Sequence, residues 1–197
     1  MKLPQLYDIF RDKWEPYSDI YLVSDTHFND EELYIGTKRI ERKNTDEYIK
    51  LINSKVGKKS ILIHLGDVGD LEAMKQVRGY KVLIMGNHDT GVTKYKEVFD
   101  EVYTGPVQIG EKLILSHEPL ECDWAFNIHG HIHSFTHRDD ARHMCICPEV
   151  TRQFEPVNFN QLMKAGFMAK VQTIHRDTID KATKRARKRG KKLGQKK

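Results

Sequence analysis

The chain has 197 residues, 39% apolar and 31% charged, a balance that suits one globular domain with a sizeable core and hardly leaves room for two. No apolar run approaches the ~20 residues of a membrane span, and no basic segment with an apolar stretch and a small-residue cleavage site opens the chain, so a soluble cytoplasmic protein is expected. The net charge of +5 hides an imbalance: residues 181–197 hold ten of the 33 lysines and arginines and no acid, and without them 23 bases face 28 acids, a net −5.

In chain order, the first apolar run, Ile20 to Val23, ends in Asp25 and His27. Thr45 can cap a helix that puts Tyr48, Ile49, Ile52 and Val56 on one face. A second run, Ile61 to Leu65, ends in Gly66 and Asp67. Asp70 can cap a helix over "LEAMKQVRG", with Gly79 ending it. The third run, Val82 to Met85, ends in Gly86, Asn87, His88 and Asp89, and "TKYKEVFDEVY" reads as the next helix. A hairpin is expected around Gly110 and Glu111. The runs Leu113–Leu115 and Ala125–Ile128 then end in His117 and in His131 and His133. Asn158 can cap a last helix from Phe159, with Leu162, Met163, Phe167, Val171 and Ile174 as its apolar stripe. Short runs rich in Ile, Leu and Val suit buried strands. The βαβα rhythm predicts a parallel or mixed sheet flanked by helices.

Three cysteines, Cys122, Cys145 and Cys147, make no disulfide framework. Cys145 and Cys147 are read as a buried strand face in a reducing compartment, since a zinc site would want more sulfur ligands. The basic tail is expected to be solvated, or to contact a polyanion such as nucleic acid.

Five strands thus deliver polar residues where ligands collect in open α/β sheets, beyond the carboxyl ends of the strands. The set Asp25, His27, Asp67, Asn87, His117, His131 and His133 offers four imidazoles, two carboxylates and an amide oxygen. Mixed N/O ligation suits Mn, Fe, Zn, Co or Ni better than Ca. Asp25 and His27, like His131 and His133, are two apart, so in extended backbone each pair faces one volume. Seven ligands are too many for one tetrahedral ion and suit two ions that share a carboxylate. Two metals ~3.5–4 Å apart form a clamp for in-line displacement at phosphorus.

The motifs "DTH", "GD", "GNHD", "SHEP" and "GHIH", in this order from Ser24 to Ser134, resemble those of the calcineurin-like metallophosphoesterases, especially the small bacterial and phage phosphoesterases. The resemblance implies a two-sheet β-sandwich flanked by helices, an αββα arrangement; composition and pattern add a single domain over residues 1–180 with a C-terminal helix, and a basic tail at 181–197 that matches no motif of the family. The resemblance also implies that Asp25, His27 and His133 hold a first metal ion, that Asn87, His117 and His131 hold a second, and that Asp67 bridges them. Mn is the expected metal, with Fe, Zn, Ni and Co as alternatives. His88 would be the catalytic group beside the phosphate, and Asp89 would accept a hydrogen bond from it and orient it. The activity implied is hydrolysis of a phosphomonoester or phosphodiester by hydroxide held between the metals; the substrate stays open, and the basic tail leans it toward nucleotides or nucleic acid. A non-catalytic nucleic-acid- or protein-binding scaffold on the same fold is the alternative. Such a protein would be expected to have lost ligands, and all seven remain.

Overall fold

Ile61, Ile63 and Leu65 bury their side chains on one side of their strand, among Ile20, Leu22, Val82 and Ile84. Leu62 is buried on the other side, with Val23 and Leu83. Both faces of the sheet are therefore covered, which is why the strands read as unbroken apolar runs. The structure, a computed structural model, describes residues 5–30 and 45–171. The basic tail at 181–197 and Ile174 of the predicted stripe lie outside them.

The elements run α1 (Asp8–Trp14), β1 (Ile20–Val23), α2 (Thr45–Lys55), β2 (Ile61–His64), α3 (Leu71–Lys75), β3 (Tyr80–Ile84), α4 (Val92–Tyr95) and β4 (Glu101–Tyr103). Then come β5 (Val107–Gly110), β6 (Leu113–Leu115), β7 (Phe126–His129), β8 (His143–Cys145), α5 (Pro148–Thr151), β9 (Val157–Asn158) and α6 (Phe159–Ala165). Among the described residues the strands form two sheets, in the orders β4-β3-β2-β1-β9 and β5-β6-β7-β8. The first is parallel except for β9, which lies antiparallel to β1. In the second, β6, β7 and β8 are parallel and β5 is antiparallel, closing the expected hairpin.

Ile109, Leu113, Leu115, Phe126 and Ile128 of the second sheet share a buried cluster with the inner residues of the first. Tyr48, Ile49, Ile52 and Val56 of α2 and its C-terminal turn pack on the outer face with Met74 and Val77. The result is the expected α/β architecture of two stacked sheets with helices outside. No helix among the described residues is long and apolar enough to cross a membrane.

Several boundaries differ from the sequence reading. The "TKYKEVFDEVY" segment is helical only as the four-residue α4, and its last three residues are strand β4, paired in parallel with β3. Pairing to a central strand overrode the helical pattern there. Helix α3 ends at Lys75; Gly79, at φ 96°, turns the chain into β3 instead of closing the helix. Asp70 caps α3 as expected, accepting from Glu72 N at 2.8 Å. Asn158 caps α6 by accepting from Gln161 N. That helix stops at Ala165 because Gly166 takes up φ 70°. Val171 and Met168 still reach the core, from the turns that follow. The Thr45 hydroxyl accepts from Asn29 N at 3.0 Å. Helix α1 was not anticipated. Its Trp14 indole donates to the buried Glu101 carboxylate at 3.1 Å, and Lys13 pairs with the same carboxylate at 2.8 Å, fastening α1 to β4.

Candidate metal centre

Because β1, β2, β3, β6 and β7 are parallel within their sheets, the residues just past their carboxyl ends gather at one end of the sandwich. The seven predicted ligands all lie there, in two groups. Ligand atoms of Asp25, His27, Asp67 and His133 come within 4.8 Å of one another. The second group is tighter: His117 Nε2 is 2.8 Å from Asn87 Oδ1 and 3.1 Å from His131 Nδ1, and His131 Nδ1 is 3.2 Å from Asn87 Oδ1. Asp67 belongs to both, with Oδ2 3.4 Å from His27 Nε2 and 3.4 Å from His117 Nε2. Donor atoms about 2.1 Å from one cation lie ~3.0–3.4 Å apart for right-angle to tetrahedral geometry. The donor spacing and the nitrogen/oxygen chemistry therefore fit divalent transition-metal ions.

The imidazoles are oriented from behind. His117 Nδ1 bonds Leu65 O at 2.8 Å, His27 Nδ1 meets Asp30 Oδ2 at 3.2 Å, and His133 Nδ1 meets Glu149 Oε2 at 3.1 Å. Each places an N–H on Nδ1 and turns Nε2 inward, toward the Asp25, Asp67 and Asn87 oxygens with which it would share a cation. His131 is the exception, presenting Nδ1. Burial pushes the Asp25 carboxyl up, but the hydrogen bond from His133, the charges of His133 and His117 and the Cys147 thiol outweigh it and hold the group well below its usual range. For Asp67 burial again raises the value, and the His27 bond, the His117 charge and the His88 N–H overcome it. Both carboxylates are thus kept anionic.

The backbone carries a second mark of the site. Asp25, His27, Asp67 and His131 all adopt positive φ, at 52°, 40°, 59° and 68°. Such conformations cost non-glycine residues on the order of 1 kcal/mol or more each and concentrate at functional sites. The chain leaves its strands through left-handed turns that aim these side chains into one volume. Gly86 contributes space rather than φ: a Cβ there would collide with Asp67 Oδ1 and lie 2.9 Å from His117 Nδ1. Gly130 plays the same part beside Asp25, where a Cβ would strike the carboxylate.

His88 stands exposed at the rim, its ring 5.4 Å from that of His27, and its N–H donates to Asp67 Oδ1 at 3.0 Å. Asp89 is elsewhere. Its buried carboxylate accepts from Asp67 N at 2.8 Å, Val68 N at 3.1 Å, Gly86 N at 2.8 Å and Tyr95 OH at 3.0 Å. The expected bond from the His88 ring is not among these contacts. The carboxylate points under the loops, where backbone N–H groups occupy it. Asp89 thus ties the turn after β2 to the turn after β3, and its predicted role as the orienter of His88 is replaced by that of a brace.

Three supporting residues escaped sequence reasoning. Asp30 carries His27, three residues along the chain. Cys147 is not part of a plain apolar face: its Sγ lies 3.0 Å from Asp25 Oδ2. Glu149 backs His133. The two-residue spacing of Cys145, Cys147 and Glu149, matching that of His129, His131 and His133, was the available signal.

His64 is wholly buried beneath the centre. The Thr26 hydroxyl donates to Val68 O at 2.8 Å, so it accepts from His64 Nε2 at 2.8 Å. Burial pushes the His64 imidazole down to about 4, against the opposing pull of Asp89, Asp25 and Asp67. The folded protein holds it neutral while the unfolded chain protonates it near pH ~6.5. The stabilisation is therefore complete above that pH and is lost as pH falls from there to about 4. At ~1.4 kcal/mol per pH unit the loss is on the order of 3 kcal/mol. Urea midpoints between pH 7 and 4 in chelator are expected to fall more steeply for the natural chain than for His64→Gln. Parallel slopes would refute this assignment.

No family model matches the chain, and no curated protein matches it. Among solved structures, AQ665 from Aquifex aeolicus, a protein of unknown function, superimposes with a TM-score of 0.62 at 24% identity, over 75% of this chain and 98% of that one. The Pseudomonas putida nuclease MPE overlaps with a TM-score of 0.43 at 22% identity, over 58% of this chain and 61% of its own. YfcE, a phosphoesterase from E. coli, does so with 0.38 at 16%, over 66% and 79%. The likeness to AQ665 establishes a shared fold, the two-sheet α/β sandwich.

Proposed function

We propose that this protein is a dinuclear metal-dependent phosphoesterase that hydrolyses phosphomonoesters or phosphodiesters. The observation that carries this reading is the pair of donor groups joined through one carboxylate, Asp67 Oδ2, 3.4 Å from both His27 Nε2 and His117 Nε2. Asp25, His27 and His133 would hold one cation and Asn87, His117 and His131 the other, with Asp67 between them. Mn is the favoured metal, and Fe, Zn, Ni or Co suit the same donors. Bound there, two divalent cations supply Lewis-acid charge to a phosphoryl group and acidify water toward neutral pH.

The chain's own residues do the rest. Asp30, Leu65 O and Glu149 keep the imidazole lone pairs aimed inward. His88, exposed beside the centre, holds a proton on a ring nitrogen and delivers it to the leaving oxygen. The 181–197 segment would draw polyanionic substrates such as nucleic acid toward the site.

A panel of phosphorylated compounds with added Mn, Ni or Zn, including bis(p-nitrophenyl) phosphate and 2′,3′-cyclic nucleotides, tests the reading. Turnover that requires a divalent metal and stops in chelator is expected. Two bound cations with no turnover of any ester would refute it. His88→Ala is expected to slow turnover by ~10²-fold, the lower end for loss of a proton donor, while both cations stay bound. Its backbone N–H, the group that contacts Asp67, survives the change. Elemental analysis showing one cation lost would overturn the role given to His88.

A further inference from the structure

A sixth strand reaches the metal centre. β8 pairs in parallel with β7 in the register Asn127↔His143, Ile128↔Met144, His129↔Cys145. The pairing continues past the strand ends, where Ile146 N donates to His129 O at 2.8 Å. His133 and Glu149 stand at the same sequence offset, and their side chains meet at 3.1 Å. Cys147, the residue before α5, and Glu149, in the first turn of that helix, both turn their side chains toward the centre. Pro148 starts the short helix α5 between them and fixes the turn.

Cys147 is fully buried and Glu149 is 4% exposed. Cys147 Sγ donates to Asp25 Oδ2 at 3.0 Å. Glu149 Oε2 accepts from His133 Nδ1, and His133 Nε2 then lies 3.2 Å from Asp25 Oδ1. Asp25 also accepts from His131 N. A thiol is a weak donor, yet this one is aimed at a carboxylate assigned to the first cation.

We propose that Cys147 and Glu149 are a pair of positioning residues that set the affinity of the first cation position without ligating it. Cys147 fixes the Asp25 carboxylate, and Glu149 fixes the tautomer and plane of His133. Among the described residues the second position, built from Asn87, His117 and His131, shows no such pair: His117 leans on a backbone carbonyl. The two positions therefore differ in affinity, and Cys147 and Glu149 govern only one. This inference rests on the dinuclear reading above and concerns cation binding, not turnover.

The experiment titrates the metal-stripped full chain with Mn(II) and with Co(II), following stoichiometry by calorimetry and elemental analysis, with no substrate present. Cys147→Val and Glu149→Ala are expected to weaken one of two sites by about 10–100-fold, the usual cost of losing an outer hydrogen-bond partner of a metal ligand, and to leave the other site unchanged. Cys147→Ser keeps a donor and Glu149→Gln keeps an acceptor, so both should restore most of the affinity. These conservative pairs keep the test decisive even where Val or Ala fails to fold. Equal weakening of both sites, or of neither, overturns the proposal. So does an intense near-ultraviolet thiolate-to-cobalt band that vanishes in Cys147→Ser, because Cys147 would then be a ligand. A natural chain that takes up no cation overturns the metal centre as well. Two cations bound without ester hydrolysis would refute the proposed reaction and leave this inference intact.

Discussion

Asp67→Asn is expected to reduce phosphoester hydrolysis by ~10³-fold or more and to weaken both cation positions together. The size follows from where the charge sits. Asp67 Oδ2 lies 3.4 Å from one imidazole of each group, so its loss is felt by two cations. Asp25 would be the one carboxylate left among the seven proposed ligands. Removing a partner that only supports a ligand costs about 10–100-fold in affinity, and removing a shared anionic ligand must cost more. Asn is the informative replacement. Asp67 sits at φ 59°, and Asn tolerates left-handed backbone better than other non-glycine residues. The Oδ1 that accepts from His88 N can remain an oxygen. The change is therefore one of charge with little change of shape, and thermal stability in chelator should hold while metal stoichiometry and turnover both fall. An Asn variant that keeps two cations and natural turnover would remove the basis of the proposed function.

The seven side chains were legible in the sequence because strand ends are easy to find. Each follows a short apolar run, and parallel strands put such ends together whatever the details of register. The boundaries "TKYKEVFDEVY" and "LEAMKQVRG" were not, because local pattern competes there with pairing to β3 and with a turn at Gly79. The left-handed conformations of Asp25, His27, Asp67 and His131 were equally hidden. Nothing in their identity demands positive φ, and tertiary packing imposes it. The supporting layer was missed for a related reason. Asp30, Cys147 and Glu149 matter through contacts across 3, 122 and 16 residues, and the two-residue spacing of the last two hints at a shared side without naming their partners. Cys147 looked like a small hydrophobe, and its burial agrees with that. Only the parallel pairing of β7 with β8 reveals that it borders a carboxylate.

Asp89→Ala is the second change with a large expected effect, and it separates two accounts of the "GNHD" segment. As a brace, the 7% exposed Asp89 carboxylate satisfies the N–H groups of Asp67, Val68 and Gly86 and the Tyr95 hydroxyl. Truncation leaves these donors facing an empty space. At ~1–3 kcal/mol for each unsatisfied buried group, and with partial relaxation, the loss is on the order of 3–5 kcal/mol. That is a large share of the ~5–15 kcal/mol that holds a domain folded. A melting temperature roughly 10 °C lower follows for a chain of this size, in chelator as much as in metal. Turnover should fall as well, because Asp67 and Gly86 are the residues the carboxylate holds. As an orienter of His88, Asp89 would behave differently: the Ala variant would melt where the natural chain does and lose about as much turnover as His88→Ala. Thermal melts of Asp89→Ala and His88→Ala, run side by side without metal, decide the matter. His88, exposed and joined to the centre through its backbone N–H, should give a melt close to natural, and Asp89→Ala should not.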